Sequence, residues 1–429
     1  MEKIIIKNFG PIKEVELEIK PFTVFIGPQA SGKSTISKTI YFFKSLRNDL
    51  LKYFIESIDS GNFDKPLGNI GKRIRAKFLN FFGPTAHIHN FYLRYEFGHK
   101  SITINLKKRY VNPVFSQDFV KEFNDILSYI KQILPKTFHR DPKFLPVSEL
   151  LKLEQAKKSV LDELEKLVNE LFGNDEDLLF IPAGRSLLTT LSDQLQYIHP
   201  HRLDYLMQSF IDRINATKPL FHKSLDDLIK DKEYLTNDTI QYGYVRAAKR
   251  VIESILKARY INDFEGEKLY VSDNKYVKIN FSSSGQQESI WILNLIFISL
   301  LNNNKLFIVF EEPEAHLYPV AQKEMIDLVA LLFNALQSQV ILTTHSPYIL
   351  SSINNLIYAS TLREKGINID KVISPKTIIS YDKLDAFFVE NGIIRSIIDN
   401  ETHLIQSEAI DSVSEIINDT FDRLFDLDE

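Results

Sequence analysis

Thr23-Val24-Phe25-Ile26-Gly27-Pro28-Gln29-Ala30-Ser31-Gly32-Lys33-Ser34-Thr35 decides how the rest of the chain is read. Apolar and β-branched residues run straight into G-x-x-x-x-G-K-S, and a helical pattern continues from Thr35 to Phe43. A buried strand, a glycine-rich turn and a helix start form the context that a phosphate-binding loop requires. Gly27 and Gly32 let the backbone turn tightly, so successive N–H groups point inward at a phosphate chain. Lys33 brings a charge to the outer phosphates, Ser34 offers a hydroxyl to Mg²⁺, and the helix N-terminus adds its dipole. Pro28, Gln29, Ala30, Ser31 and Thr35 complete the cradle. The stretch predicts a nucleoside triphosphate site with Mg²⁺.

Bulk properties narrow the class. Of 429 residues, 44% are apolar and 25% charged, the balance of a globular chain with a large core. Cysteine is absent, so neither a disulfide framework nor a thiolate metal site is available. Met1-Glu2-Lys3 leads directly into a strand without a signal-peptide pattern. The longest apolar run, Ile290 to Leu301, is broken by Asn294 and Ser299 and is too short to span a bilayer. A cytoplasmic protein with no membrane partner is expected.

The formal net charge of -4 argues against general polyanion binding, yet the charge is uneven. Lys72, Arg73, Arg75, Lys77, Arg94, Lys100, Lys107, Lys108 and Arg109 face a single acid, Glu96, within residues 71–109. That segment is the candidate contact for DNA or RNA, although solvated surface is the commoner use of such charge. Residues 401–429 are acidic, with Arg423 the lone cation.

Taken in order, Lys3–Lys7 and Val15–Ile19 read as half-buried strands around Asn8-Phe9-Gly10-Pro11. Phe91–Phe97 and Ser101–Lys107 form a hairpin pattern across Gly98-His99-Lys100. Ser116 caps a helix that Pro135 is expected to end, and a longer helix runs from Ser148 to Phe172. Leu178–Ile181 is a short apolar strand. Further helices are expected at 202–214, 224–230 and 244–259, with a second hairpin at 268–271 and 276–281.

The second half carries the remaining chemistry. Phe307-Ile308-Val309-Phe310-Glu311-Glu312 is a buried strand delivering two carboxylates at its carboxyl end, where open α/β sheets place ligands. Glu311 would hold Mg²⁺, directly or through water, and Glu312 would orient the attacking water. Ser283-Ser284-Gly285-Gln286 opens an apolar helix whose free N–H groups and Ser284 hydroxyl make a second anion site. One chain with two phosphate cradles suggests that the second serves another copy. His345 follows an apolar strand and precedes Pro347, at the sheet edge beside the first cradle.

The order GPQASGKST, FSSSGQQE, FIVFEEPEAHLYP and ILTTHSP resembles the ATPase head of the ABC superfamily, in its RecF, SMC and OLD branch. The resemblance is nearest to OLD-like stand-alone ATPases of bacterial anti-phage systems, the PtuA, AriA and retron-associated kind. It covers roughly residues 1–40 and 270–359, and the helical middle matches in outline. It implies an α/β fold, an ABC-type head with an antiparallel β subdomain and large helical insertions. It implies an ATP sandwich between two heads, hence a homodimer or a higher even-numbered oligomer. It gives Lys33 and Ser34 the Walker A roles, Glu311 and Glu312 the Walker B roles, Ser284, Gly285 and Gln286 the signature, and His345 the switch. Two departures stand out: Glu311 replaces an aspartate, and Gln286 a glycine. LLFIPAGRS resembles the Q-loop strand, with Arg185 in place of glutamine, either a nucleotide contact or the partner of an acid. Among the residues after His345, no nuclease D-x-D cluster precedes Asp426-Leu427-Asp428.

The expected division is a head over 1–372, with helical insertions at about 44–80 and 114–265, and a mainly helical docking segment over 373–429. Ile410, Val413, Ile417, Phe421 and Leu424 mark its apolar stripe. The expected function is an ATP-hydrolysing dimeric switch controlling a separately encoded effector. A RecF-like DNA clamp and a non-hydrolysing ATP-binding scaffold are the alternatives.

Overall fold

Two burial patterns sort the strands into sheets of different kind. In the computed structural model, residues 2–137, 147–185, 188, 204–235, 240–406 and 418–425 are described, without side chains at 134–137 and 147–150. The first half comprises β1 (Glu2–Phe9), β2 (Ile12–Glu18), β3 (Phe22–Ile26), α1 (Lys33–Ser60), α2 (Pro66–Phe82), β4 (Tyr92–Phe97), β5 (Lys100–Lys107), β6 (Tyr110–Phe115), α3 (Gln117–Thr137) and α4 (Val147–Phe172). Then come β7 (Asp177–Ile181), α5 (Tyr205–Thr217), α6 (Leu225–Leu235), α7 (Tyr242–Leu256), β8 (Arg259–Asp263), β9 (Gly266–Ser272) and β10 (Lys275–Lys278). The chain continues with α8 (Ser284–Asn302), β11 (Leu306–Glu311), α9 (Pro319–Leu336), β12 (Gln339–Thr344), α10 (Pro347–Glu364), β13 (Leu384–Glu390) and β14 (Ile393–Ser396). It divides into two compact units. One holds Met1–Ile19, Thr35–Glu176 and Asn391–Ile393; the other holds Lys20–Ser34, Asp177–Glu390 and Ile394–Glu429.

The first unit is built on an antiparallel sheet in the order β2-β1-β4-β5-β6. Alternation works as the sequence predicts: Ile4 and Ile6 are buried opposite Leu17 and Val15. On the other face, Lys3 pairs with Glu16 and Lys7 with Glu14. Phe9, Phe42, Phe78, Phe82 and Phe91 meet in an aromatic cluster, with Phe78 and Phe82 centroids 4.9 Å apart. The sequence reading missed β6 because Pro113 interrupts it; an edge strand tolerates a proline because one side needs no N–H. Pro135 lies inside α3, which runs on to Thr137, instead of ending it.

Many of the cations in 71–109 brace this unit. Lys77 is buried against Asp49, Arg73 pairs with Glu56, Lys100 is buried 2.6 Å from Glu122, and Arg75 Nε donates to the Val111 carbonyl at 2.7 Å. Lys72, Lys107, Lys108 and Arg109 are exposed.

The second unit carries a six-stranded sheet in the order β14-β13-β3-β12-β11-β7, with parallel pairing from β13 through β7. β3 and β11 are buried at every position, as a parallel sheet covered on both faces requires. Nearly all of α8 is buried too, which is why its apolar run shows no polar stripe. A three-stranded antiparallel sheet, β10-β9-β8, precedes α8.

Within 373–429, expected to be a mainly helical docking segment, β13 and β14 join the main sheet. β13 pairs in parallel with β3, Phe387 opposite Phe25 and Phe388 opposite Ile26. The run LDAFFVE was overlooked because seven residues bounded by charges look like loop when no neighbour strand is known. Ile410, Val413 and Ile417 lie outside the described residues, while Phe421 and Leu424 are exposed within a helical turn at 418–425.

Candidate active site

Parallel pairing brings the carboxyl ends of successive strands to one edge. Thr344 is in register with Ile26, and Glu311 with Thr343, so Gly27, Glu312 and His345 follow three adjacent strand ends. Each strand was legible alone. Their adjacency required the sheet.

The phosphate loop leaves β3 at Gly27, whose φ of 149° suits glycine. A Cβ there would lie 2.1 Å from the Val389 carbonyl oxygen on β13, so only glycine fits. Ala30 and Gly32 also take positive φ, 57° and 111°, curling the loop. Pro28, Gln29, Ala30 and Ser34 are exposed along it, whereas Ser31 and Lys33 are buried. Lys33 Nζ donates to the carbonyls of Gly27 at 2.8 Å and Pro28 at 2.7 Å, a bridge across the loop's mouth. Burial pushes its ammonium below the ordinary lysine range, and the nearby Glu312 and Glu314 carboxylates oppose that shift. Thr35 falls in the other unit, where its carbonyl accepts from the Thr39 hydroxyl.

At the end of β11 the two glutamates part. Glu311 is buried, and its Oε2 accepts from the Ala183 N–H at 3.3 Å. Glu312 adopts a left-handed φ of 46° and points its carboxylate toward His345, Oε1 to Nε2 being 3.3 Å. A non-glycine residue in that conformation stores strain of order 1 kcal/mol, which the surroundings must hold in place. Arg185 does so. It is 2% exposed and donates to the carbonyls of Pro182, Glu311 and Glu312 at 2.6, 2.7 and 2.9 Å, with Nε to the Glu288 carbonyl at 3.2 Å. Its charge is matched by the buried Glu288 carboxylate 3.4 Å away. Of its two readings, the acid's partner is the one the geometry bears out; Arg185 clasps the strand end. Burial lowers its pKa, and the acids beside it oppose that.

At the start of α8, Ser284 is exposed and Gly285 half-buried. A Cβ on Gly285 would approach the His316 carbonyl oxygen to 2.7 Å, which ties the helix start to the turn after the glutamates. Gln286 is used differently from its expected role as a nucleotide contact. It forms a capping box with Ser283 and donates Nε2 to the Leu256 carbonyl at 2.6 Å. The sequence pattern S-x-x-Q was a signal for that use.

Glu288 and Glu314 were missed as site residues. Glu288 is the last letter of FSSSGQQE, and Glu314 the fourth of EEPE; buried acids near motif ends are weak signals until their partners are known.

Comparison with known proteins gives a family. The family described as "AAA ATPase domain" matches residues 1–350. The chain belongs to that family. The DNA double-strand break repair Rad50 ATPase of Sulfurisphaera tokodaii is 26% identical over 141 residues, 30% of this chain but only 16% of that protein. Among solved structures, an SMC head bound to the C-winged helix domain of ScpA aligns over 92% of this chain and 96% of its own, with 13% identity and a TM-score of 0.40. The recombination mediator RecF aligns over 92% and 97%, with 12% identity and a TM-score of 0.35.

The family match gives this chain an ATPase domain over residues 1–350. The cradle fits ATP: a buried lysine bridges the loop carbonyls, and Gly27 leaves no room for a side chain. Ser34 and Glu311 are hard oxygen donors of the kind Mg²⁺ takes. When bound, Mg²⁺ would neutralise phosphate charge. With nucleotide bound, Lys33 could grip phosphate and the Glu312 carboxylate could hold a water, with His345 3.3 Å from that carboxylate and placed to direct it. No helix among the described residues is long and apolar enough to cross a membrane.

Proposed function

We propose that the chain is an ABC-type ATPase switch of the RecF, SMC and OLD branch, which works as a pair of copies. It senses a trigger and regulates a separately encoded effector, a nuclease or toxin, in the cytoplasm during bacterial anti-phage defence. The observation that carries the pairing is the exposed Ser284 at the start of α8, a second anion-binding helix end on a chain whose Lys33 loop already cradles phosphate. Supplying that end to another copy's nucleotide gives it a use. The defence role rests on the likeness of EEPEAHLYP and FSSSGQQE to OLD-like ATPases.

Sedimentation of Glu312→Gln with ATP and Mg²⁺ tests the pairing, a nucleotide-dependent rise in mass being expected. An unchanged profile that Ser284→Arg leaves unchanged as well refutes it. Purification of the native complex tests the effector.

A second reading, a DNA clamp, is favoured by the β5–β6 turn. Lys108 and Arg109 occupy both turn positions with left-handed φ of 51° and 67°, beside exposed Lys107 and Tyr110. Lys107, Lys108 and Tyr110, with Arg75 and Asn112, line a cavity of about 390 Å³. The Rad50 relative is named for DNA double-strand break repair. Anisotropy of labelled DNA across a salt series separates the readings, since phosphate contacts weaken steeply with salt.

A further inference from the structure

We infer that Glu314 is the positioning residue that sets His345 against Glu312; this rests on the ATPase reading of the site. Glu314 is 8% exposed and sits in the turn after β11. Its Oε1 accepts two hydrogen bonds from the end of β12, from the Thr344 hydroxyl at 2.5 Å and from the His345 N–H at 2.9 Å. Thr344 Oγ1 in turn accepts from the Ser346 N–H at 3.0 Å, so the backbone on both sides of His345 is pinned through one carboxylate. The turn is itself closed by the Leu317 N–H donating to the Glu314 carbonyl at 2.9 Å.

The arrangement is more than a loop cap. The second carboxylate oxygen, Oε2, is buried with no hydrogen-bond partner among the described residues. A buried acceptor left unpaired carries a desolvation cost, against which the two hydrogen bonds on Oε1 stand. Glu314 reaches the His345 backbone with its side chain while its main chain belongs to the turn carrying Glu312. It faces Glu312 and Lys33 closely enough for their charges to be felt. The 3.3 Å approach of His345 Nε2 to Glu312 Oε1 depends on two separate strand ends keeping their spacing. Glu314 is the side chain that bridges them. Misplacing a catalytic group by about 1 Å costs up to roughly a hundredfold in rate, so a strut of this kind acts on turnover more than on ATP binding.

The test compares steady-state ATP turnover and separately measured ATP binding in five variants: Glu314→Ala, Glu314→Gln, Thr344→Val, His345→Ala and the Glu314→Ala/His345→Ala double. Glu314→Ala is expected to lower kcat about tenfold or more with KM for ATP nearly unchanged. Glu314→Gln, whose amide oxygen still accepts both bonds, is expected to recover most of that loss. The double variant should be no slower than His345→Ala alone, because residues acting through one another are not additive. Additive losses, an equal loss in the Gln and Ala variants, or a loss confined to KM would overturn the proposal. Should Glu314→Ala not fold, Thr344→Val combined with His345→Ala carries the same test. Histidine-selective NMR without nucleotide reads the geometry directly: the His345 ring signal should move in Glu314→Ala and stay in place in Glu314→Gln. That response in a wild type without turnover would sink the ATPase reading and leave the positioning role standing. An unmoved signal beside normal wild-type turnover would sink the positioning role alone.

Discussion

The two sheets spend their strands differently. In the antiparallel sheet of the first unit, β1, β2 and β4 show one face to the core and the other outward, so Ile4 and Ile6 alternate with Lys3 and Lys7. In the parallel sheet of the second unit, β3 and β11 have no solvent face at all. Antiparallel strands also end alternately at opposite edges. Parallel strands end together, and Gly27, Glu312 and His345 therefore collect at one edge. Chemistry concentrates where strand ends converge, and polar groups can meet there only because the buried sheet beneath fixes their spacing. The first unit contributes surface and bracing: aromatic packing inside, paired charges outside.

Arg185→Ala should break the second unit most severely. It removes a fully buried cation from Glu288 and from the strand-end carbonyls, and a cost of about 3–5 kcal/mol is expected, read as a fall in thermal midpoint. A loss under about 1 kcal/mol, the surface ion-pair range, would mean that the clasp is ornamental. Next in size, Glu312→Gln should cost ~10²-fold in turnover while ATP binding persists, the scale of a lost proton-handling group. Equal loss of binding would show that Glu312 belongs to the cradle instead. Lys33→Ala should weaken ATP binding by about 1.5–3 kcal/mol, roughly ten- to a hundredfold, measured calorimetrically.

The first unit should respond in the opposite direction. Replacing Lys108 and Arg109 by Asn-Gly suits the left-handed φ of both positions and, by relieving a strain of roughly 1 kcal/mol per residue, should stabilise the unit. If the DNA reading is right, the same change lowers DNA affinity and flattens its salt dependence; unchanged binding at every salt concentration removes the turn from consideration.

The smallest expected effect is a trend with pH. Burial raises the Glu314 carboxyl above its ordinary value of 4.5, with Glu312 adding to it against the pull of Thr344 and the His345 N–H. Between 4.5 and the raised value the folded protein therefore binds more protons than the unfolded chain, and stability falls as pH rises through that window. Glu314→Gln has no such titration. Its thermal midpoint should gain on wild type as pH climbs from about 4.5 toward neutrality. A constant difference would show that the carboxyl is not held neutral by its surroundings.

Much of this molecule was legible in one dimension. G-x-x-x-x-G-K-S after an apolar strand, two glutamates ending another, and a histidine ending a third are local statements. Uniform burial and tight turns impose them on residue type, and the strands β3, β11 and β12 formed where expected. The alternating pattern of β1 and β2 was equally local. Tertiary structure alone decided what lay between these statements. β13 joined the sheet beside the phosphate loop and made Gly27 obligatory, although LDAFFVE carries no mark of its neighbour. Arg185 became a buried clasp and Gln286 a cap, because a polar side chain's use depends on which donors and acceptors the fold brings within about 3 Å. Glu314 is the plainest case. Its carboxylate is ordinary in the sequence, and its meaning comes from two strand ends thirty residues apart in the chain and one hydrogen bond apart in space.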